Sequence, residues 1–158
     1  FGYQFQCATS RGWVSELDEQ GNPDECQAYL ESTAMRLSDE YDDFNPYANA
    51  CWEGTLLVKS PSYYQLLYTK NYYQSLTYGT EVMHRMRFKA TNIVTGYTVD
   101  IIRDFDDMGN HSDYPDSYFP PGVYTLLVCS EAGFPNDPVY YGFECIQGGV
   151  FFRLARVD

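Results

Sequence analysis

The clearest alternation of apolar and polar positions runs over residues 81–90. Val82, His84, Met86, Phe88 and Ala90 interleave with Glu81, Met83, Arg85, Arg87 and Lys89. A period of two sends the two sets to opposite faces of a half-buried strand. Thr95-Gly96 and a second strand-like run, 97–102, follow, so a hairpin is predicted in which glycine supplies the turn conformation. Runs 123–129, 139–145 and 150–157 are separated by Gly, Pro and Asn, and they extend the prediction to an antiparallel meander with Gly148-Gly149 as one turn.

The first half reads differently. Asn22-Pro23-Asp24-Glu25 combines a capping residue, a first-turn proline and two acids suited to the positive end of a helix dipole. The predicted helix runs to about Ser38, with Cys26, Leu30, Ala34 and Leu37 on its inward face. A short strand is expected at 55–58, and Ser60-Pro61 opens a second helix reaching about Ser75. Within that segment Tyr63, Tyr64, Leu66, Leu67, Tyr68, Tyr72 and Tyr73 are too densely apolar to separate the helical period from the strand period. The expected fold is therefore α+β: one domain over 1–158, an antiparallel β-sheet of four or more strands, one or two covering helices, and disulfide staples.

Charge narrows the partners. Asp and Glu number 22 against 10 Lys and Arg, a formal net charge of −12. Such a surface repels phosphate backbones and anionic head groups, so neither nucleic acid nor membrane is an expected partner, and a monomer is expected. Cys7, Cys26, Cys51, Cys129 and Cys145 are scattered without a C-x-x-C pair, which points to staples in an oxidising compartment rather than to zinc or redox chemistry. Five cysteines allow at most two bridges, with Cys129 and Cys145 able to be one pair; the leftover thiol is expected to be buried, the alternative being a bond to another chain. Asn110-His111-Ser112 is a glycosylation sequon, and the opening Phe1-Gly2-Tyr3 is read as following a removed signal peptide.

Catalytic signals are few. Of the two histidines, His84 falls on an inward strand position and is expected to be a hydrogen-bonded core residue. His111 lies in an Asp-rich loop, 104–121, with only a loose acid/base constellation around it. The acidic run 39–43 lacks the glycine-punctuated pattern of a calcium loop and reads as solvated. No enzyme activity, cofactor or metal is expected. Arg85, Arg87 and Lys89 share a strand face, with Arg103 able to approach across the hairpin. That strip is either a contact for an acidic partner or an outward face paired with neighbouring acids.

Met86-Arg87-Phe88-Lys89 resembles the W-R-[FY]-[RK] signature of the LARS effectors, the Leptosphaeria avirulence-suppressing group of secreted proteins from plant-pathogenic fungi and their relatives in leaf-mould fungi. Met86 stands where the signature has Trp. The resemblance implies a non-enzymatic virulence protein, secreted into the host apoplast or passing on into host cells. Such a protein binds a host plant protein or immune receptor, or masks recognition by one, and here the contact would use Arg85, Arg87, Phe88 and Lys89. A second resemblance rests on Tyr78-Gly79-Thr80-Glu81-Val82, Ala90-Thr91-Asn92, Gly96-Tyr97-Thr98-Val99 and Asp104-Phe105-Asp106. These segments are similar to the double-psi barrels of expansin-like and lytic-transglycosylase-like proteins, which implies binding or remodelling of cell-wall polysaccharide through Asp104 and Asp106.

Overall fold

A computed structural model describes residues 2–14, 17–38, 47–75, 83–105, 111–113, 116–133 and 142–157. Ten strands occupy them: β1 (Gly2–Val14), β2 (Glu25–Ser38), β3 (Tyr47–Val58), β4 (Ser62–Ser75), β5 (Met83–Asn92), β6 (Thr98–Phe105), β7 (His111–Asp113), β8 (Asp116–Phe119), β9 (Gly122–Gly133) and β10 (Gly142–Val157). They form two antiparallel sheets. One has the order β1-β2-β10-β4-β7, with β8 also on β4, and the other the order β3-β9-β5-β6. The architecture is all-β, and no helix occurs among the described residues. Among the described residues neither sheet closes on itself, which sets the fold apart from a double-psi barrel.

The predicted helix over 22–38 is thus corrected to strand β2. Cys26, Ala28, Leu30, Ser32 and Ala34 are all buried, and the residues between them are partly exposed. Residues four apart share a face under either period, so Cys26, Leu30 and Ala34 could not discriminate. Ala28 and Ser32 could, since in a helix Ala28 would point roughly 200° away from Cys26. Being small, they left the alternation faint. The predicted second helix is likewise strand β4, where Tyr64, Leu66 and Tyr68 are buried in period two.

The hairpin prediction holds. β5 pairs with β6 from Thr91↔Thr98 to His84↔Phe105, turned at Gly96 with φ 74°. The C-terminal meander does not: β9 lies between β3 and β5, whereas β10 lies in the other sheet between β2 and β4. Gly148-Gly149 is no turn but the middle of β10. A Cβ on Gly148 would sit 2.2 Å from His84 Nε2, so glycine there admits the imidazole of the opposing sheet.

The core fills the space between the sheets. Leu30, Tyr64, Leu66, Tyr68, Val150, Phe152 and Leu154 of the larger sheet meet Leu56, Met86, Phe88, Tyr124, Leu126 and Val128 of the smaller. Edge-to-face contacts join Tyr64, Phe119 and Tyr124 at centroid separations of 5.3 and 5.2 Å. One polar bridge crosses the core. Ser130 Oγ donates to Gly148 O at 3.3 Å and lies 3.2 Å from both His84 Nε2 and Ser32 Oγ. His84 is thus a buried, hydrogen-bonded core residue.

Candidate functional site

Because side chains alternate along each strand, the residues between the core positions of β3, β9, β5 and β6 form one outward face. Register aligns them in rows across all four strands. Asn49, Glu131, Arg85 and Asp104 make the first, and Cys51, Cys129, Arg87 and Ile102 the second. Glu53, Leu127, Lys89 and Asp100 follow, then Thr55, Thr125, Thr91 and Thr98.

Ion pairs tie Arg85 to its own row and Arg87 to the row that follows. Arg85 binds Asp104 through two nitrogens, and Arg87 grips Asp100 with Nε–Oδ1 3.1 Å and Nη2–Oδ2 2.6 Å. These contacts hold the Asp100 carboxyl below its ordinary range, chiefly through the Arg87 hydrogen bonds and further through the Arg87 and Lys89 charges. Cys51 and Cys129 form a disulfide between directly opposed residues, with Cα atoms 4.2 Å apart. Of the pairings the sequence left open, Cys129–Cys145 is set aside by this bridge, Cys145 belonging to the other sheet. Cys26 is a free, buried thiol pushed up to about 11, first by burial and then by the Glu25 charge.

A groove of about 500 Å³ lies over the last two rows. Its wall carries the side chains of Glu53, Thr55, Lys89, Thr91, Thr125 and Leu127. Three hydroxyls, that of Thr125 donating to Thr91 O at 3.4 Å, are set beside one carboxylate and one ammonium. Thr98 continues the row beyond the groove, its Oγ1 3.4 Å from that of Thr91.

Of the residues singled out by sequence, Arg85, Arg87 and Lys89 share this outward face, whereas Phe88 points into the core at 2% exposure. Arg103 alternates to the other side of β6 from Asp104. Asp106, Asn110 and the acidic run 39–43 lie outside the described residues, as do 139–141. His111 pairs through its backbone with Lys70 in β7, and Cys7 lies opposite Thr33 in β1. The threonine row escaped sequence reading, because Thr55, Thr91, Thr98 and Thr125 are brought together only by strand order. No group of three or more His, Cys, Asp or Glu side chains among the described residues could hold a metal ion.

No protein-family model matches this sequence, and no curated protein matches it. Solved structures similar in outline include the enzymatically active domain of bacteriophage CBA120 tailspike protein 4, at 12% identity and TM-score 0.35. That match covers 98% of this chain, which spans about a fifth of the tailspike domain's length (19%). A family 16 carbohydrate binding module-2 is 9% identical with TM-score 0.33, covering 80% of this chain and 77% of that one. A family 35 carbohydrate binding module from Clostridium thermocellum is 13% identical with TM-score 0.33, covering 95% and 97%.

Proposed function

We propose that this chain is a secreted binding module whose four-stranded sheet holds a neutral, polyhydroxylated ligand, a carbohydrate, without transforming it. The observation that carries this reading is the groove lining. Thr55 and Thr91 offer hydroxyls able to meet sugar hydroxyls as donors or acceptors, Thr125, whose Oγ1 donates to Thr91 O at 3.4 Å, offers its lone pairs, and Glu53 and Lys89 offset each other in charge. Among the described residues Glu53 is the single carboxylate of the lining, whereas glycoside hydrolysis ordinarily needs two flanking the scissile bond. The Cys51–Cys129 bridge fits an oxidising compartment.

The test is retention on chitin, cellulose and β-glucan. The chain is expected to be held by at least one of them, and Thr91→Val and Glu53→Gln should each release it. Failure to be retained on any neutral polysaccharide would overturn the reading.

A second reading, the virulence effector that the LARS resemblance implies, is favoured by one observation. Arg85, Arg87 and Lys89 occupy successive outward positions on a strongly acidic protein, where a host partner could meet them. It ranks below the first, because both guanidinium groups are engaged by Asp104 and Asp100 and Phe88 is in the core.

A further inference from the structure

Resting on the carbohydrate reading, we infer that the ligand lies across the strands rather than along them, and that Thr98 of β6, outside the groove, is a further binding residue. The register carries this. Thr55, Thr125, Thr91 and Thr98 are successive direct cross-strand partners, so one hydroxyl stands on every strand of the sheet in a single line. At a strand spacing of about 4.8 Å the line spans roughly 14 Å, longer than a single pyranose ring.

Along the strands the chemistry changes at once. From Thr91 the outward positions of β5 run to Lys89, Arg87 and Arg85, and from Thr55 those of β3 run to Glu53 and Cys51. A neutral chain lying that way would leave the groove for ion-paired guanidinium groups. Across the strands it meets hydroxyls throughout, and Thr98 Oγ1, itself donating to Gly96 O at 3.0 Å, presents its lone pairs at the exposed end. The inferred ligand is therefore an oligosaccharide of neutral sugars, about three units of which occupy the row.

The experiment is calorimetric titration of the full chain with cello-, laminari- and chito-oligosaccharides of one to five units. Thr98→Val and Thr91→Val remove a hydroxyl and keep a β-branched side chain suited to a strand, so both variants should fold. Thr98→Val is expected to weaken binding of trisaccharides and longer chains about threefold to tenfold, leaving shorter ligands unaffected. Thr91→Val should weaken every length. If Thr98→Val is silent at all lengths while Thr91→Val weakens them, the crossing direction is overturned and the carbohydrate reading stands. Absence of binding by the unaltered chain to all three series would overturn both.

Discussion

The two faces of the four-stranded sheet divide the molecule's work between them. In β5 the inward residues His84, Met86, Phe88 and Ala90 are fully or nearly fully buried, and the outward Arg85, Arg87, Lys89 and Thr91 remain partly exposed. The inner set is apolar save for one histidine bonded to Ser130, and the outer set is charged or hydroxylic throughout. One backbone register therefore specifies both the core and the rows of the outward face. Changes on the outside should alter recognition at little loss of stability, and changes on the inside the reverse.

The strongest challenge to that division is the Cys51–Cys129 bridge, which lies on the outward side yet closes a sequence separation of 78 residues. Replacing both cysteines by alanine should lower stability by about 4.5 kcal/mol on the chain-entropy model. Calorimetry would read this as a drop in melting temperature on the order of 10 °C. A drop of only a degree or two would return the bridge to the recognition side of the comparison.

A smaller effect belongs to the inside. Burial pushes the Cys26 thiol up to about 11 from an ordinary 9.0. The neutral thiol's contribution is fully present below pH 9 and is lost as pH rises toward 11, because the unfolded chain ionises first. Urea unfolding at pH 8 and pH 10 should show a loss of roughly 1–2 kcal/mol that Cys26→Ala abolishes. Equal slopes in the two proteins would place the thiol in a wetter environment than its burial indicates.

The smallest effect should come from Arg87→Glu. Its guanidinium is exposed and bonded to an exposed carboxylate, so the melting temperature should barely move. Glycan retention should also persist, because Arg87 lies outside the groove lining. Loss of binding to a plant protein in this variant would instead support the effector reading.

How far these two faces could be read from sequence depended on side-chain size. Met86 and Phe88 against Arg85 and Arg87 made β5 plain, and Gly96 fixed its hairpin. β2 hid behind Ala28 and Ser32, whose small side chains mark an inward face weakly, and behind an Asn-Pro start suited to a helix. Asn22 turns out to pin loops instead. Its Oδ1 accepts from Lys59 N, and its amide donates to Asp18 Oδ2 and Ser60 Oγ at 2.9 and 3.0 Å. Gly148 misled because glycine signals a turn locally, whereas here it answers a ring from another sheet. The positive strip was legible because it runs along one strand. The threonine row was not, since it runs across four.

The position of β10 has a consequence for how the protein is made. β10 is the last strand in the chain order, yet it lies at the centre of the larger sheet, hydrogen-bonded to β2 on one side and β4 on the other. On a ribosome β2 and β4 must therefore wait, their inner edges bare, until residues 142–157 emerge to join them. Such unpaired edges template association between chains, so slow translation or truncation before Gly142 should favour aggregation over any shortened fold.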